Sequence, residues 1–204
     1  WSVFLPIYEQ VDQWITDNEI GEVKLITSSF GFAIDRDPDD RWLNPELAGG
    51  VLLDMGVYNV ATSQWFQQQN ASTIVASGIV GDTGVDEMCL VNLHYPNGAA
   101  TQFSCNFLAQ TPNDLTIFGS SGHIKVKPLF WQADTAVLVT EQGESAITRP
   151  LSVNGFEYQI AEVERCLANR QLQSHIMSHQ RTLQTMDIMD EIRRQLGVVY
   201  PSER

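Results

Sequence analysis

The chain has 204 residues, of which 43% are hydrophobic and 18% charged, with a formal net charge of −13. That length suits one medium domain with a real core. So large an excess of acid repels phosphate backbones and anionic membranes, which excludes nucleic acid and membrane surfaces as expected partners, and no apolar run approaches the roughly 18–20 residues of a bilayer span.

Residues 6–19 read as a helix. Pro6 suits the first helical position, Ile7, Val11, Trp14 and Ile15 follow helical spacing, and Gly21 marks the stop. The run "EVKLITSSFGFAI" (22–34), rich in β-branched and aromatic residues, reads as a strand, and "DRDPDDRWLNPE" (35–46) as a charged surface loop with two prolines. A helix is expected over roughly 47–67. The period then changes from 3.6 to 2. Strands are expected over 73–81, 87–95 and 100–109, the last two joined by a tight Asn97-Gly98 turn. Two further hairpins follow, "DLTIFGSSGHIKVKP" and "TAVLVTEQGESAIT", and then helices over about 155–169 and 179–196. In the last helix Leu183, Met186, Met189, Ile192 and Leu196 form an apolar stripe that Gly197 ends.

The expected fold is a single α+β domain over 1–204: a large, mostly antiparallel open β-sheet of six to eight strands, with helices on one face. Cys89, Cys105 and Cys166 are odd in number and far apart, which argues against a disulfide framework and for a reducing, cytoplasmic setting. His175 and His179 share a helical spacing but lack a third ligand, so no metal site is expected. The chain opens "WSVFLPIYEQ", with no secretory leader and no methionine, and reads as the continuation of something longer.

One helix raises a chemical question. Positions 47, 51, 54, 58, 61 and 65 share one side of an ideal helix and read Leu, Val, Asp, Tyr, Ala, Trp. Asp54 therefore interrupts an apolar stripe, and a buried carboxylate needs a partner or water. Tyr58 lies one turn on. A phenol moves protons well only beside a cation, which would come from the loop (Arg36, Arg41) or from outside the chain. Gly49 and Gly50 permit close backbone approach, as at a ligand-facing helix start. The plainer alternative is that Asp54 binds backbone N–H groups and Tyr58 is a core aromatic.

The stretch "LAGGVLLDMGVYNV" resembles the G-G-x-x-x-D-x-G-x-Y/H signature of the glucose–fructose oxidoreductase, inositol dehydrogenase and rhizopine-catabolism (Gfo/Idh/MocA) family. The opening "WSVFLP", the strand "GEVKLITSSFGF" and the closing "GFEYQIAEVERCLAN…DEIRRQLGVVYP" resemble its dimeric dihydrodiol dehydrogenase branch, in order and over essentially the whole chain. The resemblance implies a glyceraldehyde-3-phosphate dehydrogenase-like C-terminal domain for substrate binding and dimerisation, preceded in the family by a Rossmann domain that holds NAD or NADP and supplies a catalytic lysine.

It further implies Tyr58 as proton donor or acceptor, Asp54 as the residue that orients the substrate or the proton relay, Trp1 and Arg41 as substrate-binding residues, and a homodimer through the open sheet face; Gly49 and Gly50 are the expected cofactor-binding positions. Val3 departs from the arginine common in such openings. The expected activity is hydride transfer to or from a sugar, polyol or cyclic diol, in which this chain alone is inactive. A non-catalytic dimerisation or small-ligand-binding module is the competing expectation, favoured by strands that carry apolar residues on both faces.

Overall fold

The computed structural model describes residues 1–203. After a short 3₁₀ turn at Ser2–Phe4, α1 (Pro6–Thr16) buries Ile7, Tyr8, Val11 and Trp14, with Pro6 at its start. Then come β1 (Val23–Gly31), a long loop, a π-helical turn at Leu52–Gly56 and α2 (Val57–Gln67). The remaining strands are β2 (Thr73–Val80), β3 (Asp86–His94), β4 (Ala100–Asn106), β5 (Leu115–Gly119), β6 (Gly122–Val126), β7 (Thr135–Thr140) and β8 (Gly143–Thr148). They are followed by α3 (Phe156–Ala168) and α4 (His179–Leu196).

All eight strands form one sheet in the order β2-β3-β4-β1-β5-β6-β7-β8. Every neighbouring pair is antiparallel except β1 and β4, which run parallel from Leu25↔Ala100 to Gly31↔Asn106. That pairing is sterically allowed because the long excursion through α2, β2 and β3 separates the two strands. One face carries Ile26, Phe30, Val91, Phe103, Ile117 and Ile124 into the core beneath the helices. On the other face Val75, Ile79, Leu90 and Phe118 remain exposed beside Thr27, Asn92, Gln102 and Ser104. All three cysteines are free and buried, and Cys89 lies opposite Cys105 across β3 and β4.

The structure shortens several expected elements, among them α1, which ends at Thr16 rather than 19. β1 ends at Gly31 rather than 34, although Phe32 and Ile34 still donate to the carbonyls of Asn106 and Phe107. β4 stops at Asn106 because its side-chain oxygen accepts from the N–H groups of Leu108 and Ala109, at 2.9 and 2.6 Å, and turns the chain. The long helix begins not at 47 but at Val51. Ala48 (φ 56°) and Gly50 (φ 121°) both have positive φ, outside the right-handed helical region, so Leu47 lies in a separate 3₁₀ turn and is 58% exposed.

That late start corrects the face assignment. The buried side of the π turn and α2 is Leu52, Met55, Gly56, Asn59, Val60, Ser63 and Phe66. Asp54, Tyr58, Ala61 and Trp65 form the half-exposed side, so the acid and the phenol interrupt no buried stripe. Among the described residues no helix is long and apolar enough to cross a membrane, and no group of three or more His, Cys, Asp and Glu side chains converges as metal ligands would.

Candidate functional site

The upstream end of the helix is held by groups from three distant segments. The loop closes on itself: Gly49 and Gly50 donate their N–H groups to the carbonyls of Asn44 and Trp42, each at 2.9 Å. Tyr200, after α4, donates its hydroxyl to the carbonyl of Gly49 at 2.6 Å. Asp86, at the start of β3, accepts the first π-turn N–H, that of Leu52, at 2.6 Å. A carboxylate there meets the orphan donors of a helix start. Burial pushes the Asp86 carboxyl above its usual range, and the Leu52 bond opposes that. Its other oxygen is buried with no hydrogen-bond partner.

Both glycines are buried, and what their missing side chains admit is the protein itself. A Cβ on Gly49 would meet the backbone of Asn44 and Trp42 at 2.9 Å, and one on Gly50 would meet the Asp86 carboxylate at 2.6 Å. They also line a depression of about 170 Å³ together with Arg41, Trp42, Ala48, Leu53 and Asp54. Here Arg41 stacks its guanidinium 3.8 Å over the Trp42 ring and donates to Asp54 at 2.9 Å. Burial raises the Asp54 carboxyl above its ordinary value and the Arg41 bond counteracts this. Asp54 thus finds a cation, as a half-buried carboxylate must, and neither backbone amides nor Tyr58 serve it.

One turn on, the surroundings change from charged to aromatic. The Tyr58 oxygen accepts the indole N–H of Trp1 at 3.1 Å. The Tyr58 ring stands 5.6 Å from Phe30 and 6.4 Å from Trp131. Phe30 and Trp131 stack at 3.6 Å, nearly parallel, with Phe32 edge-on to both. Trp1 packs against Phe156 at 4.5 Å. A cavity of about 220 Å³ opens beside the phenol, lined by Trp1, Ser2, Val3, Val57, Ala61, Thr62 and Met177.

The six expected site residues therefore fall into two adjoining groups: Trp1 with Tyr58, and Arg41, Gly49, Gly50 with Asp54. Asp54, inside the π turn, and Tyr58, just after it, share the half-exposed side, yet the acid is taken by Arg41 and the phenol by Trp1. Neither loop arginine serves Tyr58, because Arg41 pairs with Asp54 and Arg36 with Glu87. Sequence reasoning missed Phe30, Trp131, Phe156 and Asp86. Phe30 was legible as an inward residue of β1, whereas Trp131 sits in a 3₁₀ turn after Leu129 (φ 63°) and carries no periodic cue. Tertiary burial alone marks Asp86.

A family model described as the GFO/IDH/MocA C-terminal domain matches residues 8–125, more than half of the chain. The chain belongs to the GFO/IDH/MocA family. It is similar to the trans-1,2-dihydrobenzene-1,2-diol dehydrogenase of Danio rerio, at 32% identity over 210 residues, which cover 100% of this chain and 62% of that protein. The human enzyme of the same name is 27% identical over 211 residues, covering 100% of this chain and 63% of that one.

The chain thus spans under two thirds of the length of the curated relatives it matches. Among solved structures, an aldose-aldose oxidoreductase from Caulobacter crescentus complexed with glycerol aligns with a TM-score of 0.82 at 21% identity, over 95% of this chain and 59% of that one. KijD10, a 3-ketoreductase from Actinomadura kijaniata in complex with NADP and TDP-benzene, aligns with a TM-score of 0.77 at 19% identity, over 96% and 60%. These two share the fold of this chain.

Proposed function

We propose that the chain is the substrate-facing and subunit-contacting domain of an NAD(P)-dependent oxidoreductase that moves a hydride to or from a carbon bearing a hydroxyl, in a sugar, polyol or cyclic diol. The observation that carries this reading is the phenol of Tyr58. Its oxygen takes a hydrogen bond from the Trp1 indole, so its own O–H is free to point into the cavity between Trp1, Val57, Thr62 and Met177. In the reducing direction the substrate carbonyl carbon receives the hydride, the C=O electron pair moves to oxygen, and Tyr58 delivers the proton to that oxygen. Oxidation runs the same steps in reverse.

The residues present fit the ring end of such a cofactor and not its phosphates. Around Tyr58 they offer aromatic faces, and the nearby arginines are committed to Asp54 and Glu87. When bound, the nicotinamide supplies or accepts the hydride. The pyrophosphate needs donors from a further domain, in keeping with relatives longer than this chain. Arg41 and Asp54 form a polar end to the site, able to take substrate hydroxyls, with the backbone of Gly49 and Gly50 at its edge.

Three free, buried cysteines favour a reducing, cytoplasmic setting. The mixed apolar and polar face around Val75, Ile79, Leu90 and Phe118 supports a two-fold homodimer through the open sheet. Sedimentation should then give twice the chain mass, and a clean monomer at tens of micromolar (roughly the weak end of specific association) would remove the dimer.

The chemical test is Tyr58→Phe in the full-length protein. Turnover should fall by at least about tenfold, the low end for a positioned acid–base group, while KM changes little because the ring stays. Near-normal turnover would take Tyr58 out of the mechanism.

A further inference from the structure

Phe156, Ile160, Val163 and Leu167 step by four, three and four residues along α3 and are 44%, 55%, 57% and 70% exposed. That spacing places them on one side of the helix, a stripe about 16 Å long at 1.5 Å per residue. Only Glu162 and Cys166 of α3 are buried. The helix lies along no other helix or strand among the described residues.

What holds α3 is polar and local. The Glu157 carboxylate accepts from the N–H groups of Val153, Asn154 and Gly155. Glu162 accepts from Arg165 and Ser174, and the Arg165 bond pulls its carboxyl down to about 2. A 13-residue helix with an open apolar side is marginal without a covering surface.

We propose that this stripe seats the cofactor-binding domain of the full-length protein. The proposal rests on the two-domain reading above. Three observations choose that occupant over a second copy of the chain. The matched family model is a C-terminal domain, and the chain covers 62% of a relative's length, so a body of domain size lies ahead of it in the relatives. Trp1 is packed on Phe156 and bonded to Tyr58, so a segment arriving there emerges between the first turn of α3 and the site. Met177 lines both the Tyr58 cavity and the hollow along Val163 and Leu167, so one docked body would roof both at once. Docking on α3 would then bring the nicotinamide end of the cofactor over the phenol.

The test is thiol labelling of the full-length protein carrying Val163→Cys or Leu167→Cys, with Gln142→Cys, in the exposed β7–β8 turn, as reference. The stripe cysteines should react with a maleimide at least about tenfold more slowly than the reference, at a rate independent of protein concentration. Equal rates overturn the proposal. Protection lost on dilution also overturns it, because it assigns the stripe to a second copy. Val163→Asp should leave nucleotide affinity within about twofold and lower kcat/KM by at least about tenfold, since the cofactor's own domain is untouched. Unimpaired kcat/KM counts against the docking. A fully active Tyr58→Phe would sink the catalytic assignment and leave the labelling result standing, so the two ideas fail separately.

Discussion

The two ends of the helix that carries Asp54 and Tyr58 are built by opposite means. Upstream, at Leu52–Gly56, backbone groups and charges brought from β3, the C-terminal segment and the 35–50 loop converge on a π turn. Downstream, from Val57, the visible side is ring against ring, with one indole N–H on one phenol oxygen. The difference teaches where rigidity and chemistry divide. The upstream end fixes where the helix starts and how it is rotated. The downstream end leaves the Tyr58 hydroxyl uncommitted as a donor. The π turn marks the boundary between the two, ending at Gly56 just before the helix that carries the phenol.

On that division, substitutions of the upstream anchors Gly50 and Asp86 should cost stability, and substitution of Tyr58 turnover. The largest effect should come from Gly50→Ala. At φ 121° an alanine is strained, and its Cβ would sit 2.6 Å from an Asp86 oxygen whose partner oxygen is held by Leu52. A loss of about 2–4 kcal/mol in urea unfolding is expected, and an unchanged midpoint would break the comparison at its upstream end. Asp86→Ala should follow at about 1–3 kcal/mol, the cost of leaving the buried Leu52 N–H without an acceptor. Asp86→Asn sharpens the point. Its carboxamide oxygen still accepts that N–H, and the burial penalty on a charge disappears, so it should lose clearly less than the alanine variant. Equal losses would mean that the charge at the helix start, rather than the bond, is what stabilises the turn.

Much of this was legible in the residues. The eight strands and four helices of the described residues were all expected, the central strands because they alternate against the core and the exposed β8 because a turn pairs it with β7. The boundaries slipped where a single side chain or dihedral decides: Asn106 folding back on its own strand end, Gly50 and Ala48 delaying a helix. Of the site, Tyr58 and Asp54 were visible as polar residues at apolar spacing. Their true relation was not, since nothing in "LLDMG" announces a fifth residue in the turn. The Asp54–Arg41 pair spans 13 positions and the Phe30–Trp131 stack spans the sheet, so no local pattern records either.

A third anchor completes the comparison and gives the smallest expected effect. At the far end of α2, Trp65 donates its indole N–H to Asp12 of α1 at 2.8 Å, with Arg181 over the same ring. Here a carboxylate is held by a neutral donor, not by a helix start or a close guanidinium. Desolvation therefore outweighs the Trp65 bond and Arg181, and raises the Asp12 carboxyl from 3.8 to about 6. The folded state thus holds this proton more tightly than the unfolded one. The contribution is fully present below the unfolded value and is lost as pH rises through about 6. Asp12→Asn keeps an acceptor for the indole and cannot ionise. The wild-type urea midpoint, taken relative to this variant, should therefore decline between the two values. Glu162, Glu191 and Glu203, each pulled down to about 2 chiefly by arginine, titrate with the opposite sign and at lower pH. They are common to both proteins and cancel in the difference. A difference that stays flat across this window would show that Asp12 is solvated as an ordinary surface carboxylate, and that the downstream end of α2 is pinned by the cation–π contact alone.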